Sequence, residues 1–370
     1  MLGELWQRVR NTDWIIFFAT FFLVGIGLAV IYGISINPVS PDVQLFRKQL
    51  VFTILGIALF FILSGVNYRL WHIYSKSLYL VGVLLLVIVR FFGTTIRGTT
   101  GWFVFGPFSI QPVEFAKIAL LIFLAKYFSD HAREFFRWRH TILTGAATAV
   151  YATLVLLQPD LGSAIVIIGT WFFLLLAVGI PRRHLMTLLV VFAAVALIGW
   201  FFVLKSYQKD RINVFLNPQT DQQGIGYNVR QSIIAVGSGR IFGRGFGLGS
   251  QSQLKFLPEA STDFIFAALA EEYGLIGVLL LFGCFAALQY RLFYIAQKTT
   301  DNFAAFFALG TAALLVVQSF INIGMNVGIA PVTGIPLPFV SSGGSSLLAF
   351  YITFGIISGI VADNRSFTNA

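Results

Sequence analysis

Long apolar runs recur along the chain at residues 14–34, 49–66, 77–92, 112–128, 141–157, 161–180, 185–204, 264–290, 303–326 and 344–362, with polar segments between them. About 20 apolar residues in a helix cross a hydrocarbon layer of roughly 30 Å, and irregular backbone is excluded from lipid, so each run predicts a helix. The runs at 77–92 and 141–157 are short for the task. The expected fold is therefore all-α: a polytopic integral membrane protein of about ten transmembrane helices, in a single domain over 1–370. One interruption is different in kind. Between the seventh and eighth runs, Lys205 to Thr262 form a polar, glycine-dense stretch with seven Lys or Arg against three Asp or Glu. It is expected to be a long loop, about 205–262.

Composition excludes a soluble protein. Only 11% of residues are charged, 57% are hydrophobic, and Phe alone accounts for 40 of 370. No globular surface could be covered by so little polar material. Arg8 and Arg10 precede the first run as they would in a secretion signal. That run is too long for a signal core and no small-residue cleavage site follows it, so it is expected to stay. No internal repeat is apparent.

Basic residues in short loops set the orientation. With the N-terminus inside, Arg8, Arg10, Arg69, Lys76, Lys126, Arg133, Arg137, Arg139, Arg182, Arg183, Arg291, Lys298 and Arg365 fall on the cytoplasmic side. Arg47, Lys48, Arg90, Arg97 and Lys117 fall outside. Both termini are then cytoplasmic, and the long loop faces outward. The net charge of +10 is spread over membrane flanks and forms no basic stripe on a soluble domain, which argues against nucleic acid as a partner. The lone Cys284 allows no intramolecular disulfide, and the four histidines show no zinc spacing.

Ionisable groups inside spans are costly and mark sites or pathways. Glu114 and Lys117, three residues apart, share a helix face near the outer end of the fourth span. Asp160 lies in the outer turn Gln158-Pro159-Asp160, and Asp263 opens the eighth span. On a straight helix Glu271 would lie about 12 Å deeper than Asp263, with Glu272 on the opposite side. All these groups belong to the outer half of the membrane, whereas a carrier needs polar groups along the whole route. Each also has a plainer reading. Asp263 and Asp160 could cap helices, and Glu114 with Lys117 could be a structural pair. The glycines from Gly237 to Gly249 match no nucleotide fingerprint. Alternating with Arg240 and Arg244, they could cradle a phosphate on backbone N–H groups. A carboxylate beneath a cationic loop at a membrane interface suits glycosyl or phosphoryl transfer from a lipid-linked pyrophosphate.

Several motifs, in order, resemble the SEDS family (shape, elongation, division and sporulation) of peptidoglycan glycosyltransferases. They are Gln111-Pro112-Val113-Glu114-Phe115-Ala116-Lys117, Gln158-Pro159-Asp160-Leu161-Gly162, Gly226-Tyr227 with Gln231-Ser232, Phe256-Leu257-Pro258-Glu259 leading to Thr262-Asp263-Phe264-Ile265-Phe266, Asn322-Ile323-Gly324-Met325, and Pro336-Leu337-Pro338-Phe339-Val340-Ser341 with Gly343-Gly344-Ser345. Ser250 to Leu254 and Gly334 to Pro338 are more similar to the elongation-type members than to the division-type ones. The resemblance implies polymerisation of lipid II at the outer face of a bacterial cytoplasmic membrane, with Asp263 as general base. It implies substrate-binding or cavity roles for Glu114, Lys117, Gln111, Asp160, Arg211, Arg240, Arg244, Lys255, Glu259, Ser341 and Ser345. It also implies an undecaprenyl-linked glycan as substrate, a class B penicillin-binding protein (a transpeptidase) and the elongation machinery as partners, and a divalent cation, Mg or Mn, as an aid to the leaving group. The chain departs from the family pattern at Gly101, where Arg is usual before Trp102, and at Val113, Ser342 and Ser261. Arg97 is expected to replace the missing Arg. A lipid II flippase, a non-enzymatic transpeptidase scaffold and a ligase for lipid-linked polysaccharide are the competing readings.

Overall fold

The computed structural model describes residues 12–36, 43–96, 98–106, 108–203, 206–216 and 224–363. Three helices open the chain: α1 (Trp14–Ser35), α2 (Gln44–Ser64) and α3 (Arg69–Phe92). Next come three short strands, β1 (Thr94–Ile96), β2 (Thr99–Phe105) and β3 (Phe108–Ile110). The helices α4 (Pro112–His131), α5 (Trp138–Leu157), α6 (Leu161–Val178) and α7 (Arg182–Ile198) follow. The long loop contains α8 (Ser206–Leu216), α9 (Ile225–Ser238) and the single turn α10 (Ser250–Gln253), and the chain ends with α11 (Ile265–Lys298), α12 (Asn302–Asn326) and α13 (Gly344–Asp363).

Among the described residues, nine helices are long and apolar enough to cross a membrane. The tenth expected span, α4, has 20 residues but carries Glu114, Lys117, Lys126 and Asp130. The helices at the expected positions 77–92 and 141–157 are longer than their apolar cores. α3 starts at Arg69 and α5 at Trp138, because polar residues at a membrane flank continue a helix without entering lipid.

α12 is central, packed against α4, α6 and α11; α13 packs on α2, and α1 on α11. Large exposed apolar side chains such as Phe22, Leu80 and Leu279 cover the perimeter, as lipid-facing positions require.

Two features depart from the expected plan. β1, β2 and β3 form an antiparallel sheet between α3 and α4, with Thr94 opposite Trp102 and Phe103 opposite Ile110. The second departure is in α11, which is not one helix. Gly274 has φ 64 and ψ −158, a conformation open in practice to glycine, and the helical ladder breaks there. The glycine-rich segment Gly239 to Gly249 repairs the break. The amides of Arg244 and Gly245 donate to the carbonyls of Glu271 (2.9 Å) and Glu272 (3.0 Å), and the carbonyls of Arg240 and Ile241 accept from Leu275 (2.9 Å) and Ile276 (3.2 Å). A membrane helix can be broken only if the freed backbone groups find partners, and here one loop serves both half-helices.

A Cβ at Gly274 would press on Gly243 N and Ile241 O, on a backbone that resists side chains. Gly274→Ala is therefore expected to cost about 1–3 kcal/mol, read as a lower midpoint of thermal unfolding in detergent. An unchanged midpoint would refute the clasp.

Candidate active site

At one end of the bundle a cavity of about 390 Å³ opens between α2, β2, α8, α11 and the segment Thr333 to Ser346. Its walls carry two carboxylates, Asp263 and Asp160, and two cations, Lys48 and Arg211. Gln111, Trp102 and Ser345 also line it.

Asp263 is half-buried and comes two residues before α11, whose N-cap position is Phe264. A Cβ on Gly334 (φ 76) would lie 3.6 Å from Asp263 Oδ2. The backbone of Asp263 is hung from α12 by carboxamides four residues apart on one buried helix face. Asn322 Nδ2 donates to the carbonyls of Asp263 (3.1 Å) and Ile335 (2.8 Å), and Asn326 Nδ2 donates to Asp263 O (2.9 Å). Gln318 Nε2 donates to Pro336 O at 3.1 Å. All three amide side chains are fully buried, so the ladder fixes both the Asp263 turn and the Gly334 to Pro336 strap.

Glu114 and Lys117 lie behind that strap and do not line the cavity. Their 2.8 Å ion pair is almost entirely buried, and Lys117 Nζ also donates to Gln318 Oε1 at 3.1 Å. The pair is thus coupled through Gln318 to the strap beside Asp263. Asp160 does cap a helix: its Oδ1 accepts from Ser163 N at 2.9 Å. Its Oδ2 accepts from Gln111 Nε2 at 3.4 Å, which ties two cavity residues together. Ser341 acts on backbone, accepting from Leu337 N (2.8 Å) and donating to Thr262 O (2.6 Å). Ser345 Oγ accepts from Gln111 N at 2.9 Å.

The loop residues expected in the cavity are placed elsewhere. Arg240, Arg244, Lys255 and Glu259 are exposed and do not line it. Arg244 instead donates to Ser238 Oγ and Ser250 Oγ, and Glu259 accepts from Thr262 Oγ1 at 3.0 Å. The expected phosphate cradle also fails, because the amides of Gly243, Arg244 and Gly245 are spent on backbone carbonyls of the clasp. Glu271 is not a group facing down the span. Its carboxylate accepts from the amides of Gln251 (2.9 Å) and Ser252 (3.3 Å) at the start of α10. Gly101 leaves room for Gln158, whose Oε1 would lie 3.2 Å from a Cβ there, and Arg97 lies outside the described residues. Lys48 was legible only as a charge in a short loop, Ser342 only as a departure from the family pattern, and Ser346 not at all.

A bundle of membrane-length helices around a polar cavity, lined by two carboxylates and two cations, defines a polytopic membrane protein. The chain belongs to the FtsW/RodA/SpoVE family of cell cycle proteins, whose model matches residues 13–366. It is 36% identical over 342 residues to the peptidoglycan glycosyltransferase MrdB of Escherichia coli K12, covering 92% of each chain. It is also 36% identical over 369 residues to stage V sporulation protein E of Bacillus subtilis, covering 97% of this chain and 99% of that protein. Among solved structures it is similar to a chain of a peptidoglycan synthase complex that coordinates polymerization and crosslinking (TM-score 0.81, 32% identity, 96% and 98% of the two chains). It is similar too to the rod shape determining protein RodA of Thermus thermophilus (TM-score 0.72, 31% identity, 96% and 98%).

Proposed function

We propose that this chain is a peptidoglycan glycosyltransferase of cell elongation that polymerises lipid II at the outer face of the cytoplasmic membrane, as a single multi-pass domain with both termini inside. The observation that carries this reading is a half-buried Asp263 in the same cavity as Lys48 and Arg211. The likeness to MrdB and RodA supports both the chemistry and the elongation role.

Asp263 takes the proton of the acceptor GlcNAc 4-hydroxyl. The freed oxygen pair forms a bond to the anomeric carbon of the growing chain, on the face opposite its leaving group. The bond from that carbon to undecaprenyl pyrophosphate breaks with inversion, and the electron pair leaves on the pyrophosphate, whose charge the cavity cations stabilise.

Asp160 and Asp263, the two carboxylates of the cavity, are the residues that would hold a Mg or Mn ion, which would supply further charge stabilisation. No cluster of three or more His, Cys, Asp or Glu side chains exists among the described residues. A class B penicillin-binding protein is the proposed partner, supported by the likeness to a synthase complex that joins polymerization to crosslinking.

The test is incubation of the purified protein with labelled lipid II in detergent, alone and with its transpeptidase. Glycan strands are expected. Because no membrane separates two compartments there, strand formation also distinguishes an enzyme from a flippase or a scaffold; no strands under either condition would overturn the assignment.

A further inference from the structure

The sheet between α3 and α4 has two unlike faces. Side chains alternate along a strand, and residues opposite each other on paired strands share a face. Phe103 lies opposite Ile110 and Phe105 opposite Phe108, so these apolar residues form one face. Trp102, Val104 and Ser109 belong to the other, since Val104 lies opposite Ser109. Trp102 and Ser109 line the cavity. The face away from the cavity is uncovered: Phe105, Phe108 and Ile110 are 63%, 40% and 37% exposed.

An uncovered apolar patch on a sheet with free edges promotes aggregation unless something covers it. Three observations point to lipid as the cover. First, the patch continues the lipid-facing perimeter. Phe91 and Phe92, the last residues of α3, are exposed as well, and Gly93 alone separates them from β1. Second, the sheet is tethered at both ends, because Gln111 alone separates β3 from α4; it cannot rise away from the ends of these helices. Third, Arg97 is the only charged residue from Phe91 to Gln111, whereas a sheet surface that meets water is normally polar. Unpaired strand edges are excluded from hydrocarbon. The sheet therefore belongs in the headgroup layer, with its apolar face turned to the acyl chains.

We infer that the β1–β3 sheet is a membrane-interface anchor, in which Phe103, Phe105, Phe108 and Ile110 insert into the leaflet on the cavity side. The Phe108 ring packs edge-on against Phe52 at 5.7 Å, and Phe52 lines the cavity. The anchor thereby holds the mouth of the cavity at the level of the lipid headgroups. The inference does not depend on the glycosyl-transfer reading.

The experiment measures which quencher reaches each face of β2. Cys284→Ala removes the one thiol of the chain, and Phe105→Cys or Val104→Cys then carries an environment-sensitive fluorophore. The full-length protein is reconstituted in nanodiscs of phosphatidylcholine and phosphatidylglycerol. A lipid with a nitroxide near its headgroup should quench the label at position 105 several-fold more than the label at 104, and iodide in the water should show the opposite order. In a second variant, Phe105→Asp is combined with a label on Phe108→Cys. Lipid quenching of that label should fall several-fold, while the thermal midpoint in detergent holds because both side chains are exposed. Quenching of the 105 label mainly by iodide would overturn the inference in favour of a sheet that faces water. Protection from both quenchers would overturn it in favour of cover by a protein partner or a second copy of the chain. Undiminished lipid quenching beside Phe105→Asp would show that the helices alone place the sheet, and would overturn its role as an anchor.

Discussion

Asp263→Asn is expected to lower lipid II polymerisation by about 10²–10⁴-fold, the usual contribution of a positioned general base. The substitution nearly keeps shape and size, but it removes the negative charge and the ability to take a proton. It keeps the main-chain carbonyl of residue 263 that Asn322 and Asn326 hold, so the fold should stay intact. The N-cap position of the helix that follows is Phe264, which makes no side-chain capping bond. An unchanged thermal midpoint with lost strand formation is therefore the expected pair of results. Asp263→Glu keeps the acid but carries it one methylene further from its main chain, and should retain a small residual rate. Strands made at the normal rate by the Asn variant would refute the role of Asp263 as base.

Lys117→Met is expected to have the largest effect on stability, about 3–5 kcal/mol. It leaves the buried Glu114 carboxylate, 2% exposed, without its cation. Breaking one side of a buried pair costs more than removing both. The double variant Glu114→Gln with Lys117→Met should therefore recover most of the thermal midpoint. Gln318 loses its Lys117 partner in both variants, so the strap beside Asp263 should be held less firmly and polymerisation should stay impaired in the double variant even where stability returns. Equal midpoints for the single and double variants would show that the pair contributes by packing rather than by charge.

The parts of this molecule legible in the sequence are those encoded locally. Apolar length marked the spans, and the turn Gln158-Pro159-Asp160 was readable as an Asp at a helix start. Isolated carboxylates in apolar surroundings pointed to Asp263. The break at Gly274 was not legible, because a single glycine in an apolar run is compatible with an unbroken helix. What makes it a break is a loop about 30 residues earlier in the chain that supplies the missing hydrogen bonds. The same long-range pairing explains why Arg240 and Arg244 were misplaced. Charge and glycine content indicate an anion cradle only when the amides are free, and here they are committed to Glu271 and Glu272. Lys48 was overlooked for the opposite reason. A lysine at a helix flank serves membrane orientation equally well, and only the fold brings it to the cavity beside Arg211.

The carboxamides of Gln318, Asn322 and Asn326 separate two properties that usually travel together. The reacting carboxylate belongs to the segment leading into α11, but its position is registered on α12. These amides grip main-chain carbonyls, which every residue possesses, so the register does not depend on which side chains the gripped segments carry. Residues such as Ser261 can therefore differ from the family pattern without moving the acid, whereas a shift of α12 along its own axis would move the Asp263 turn and the Gly334 strap together as one unit.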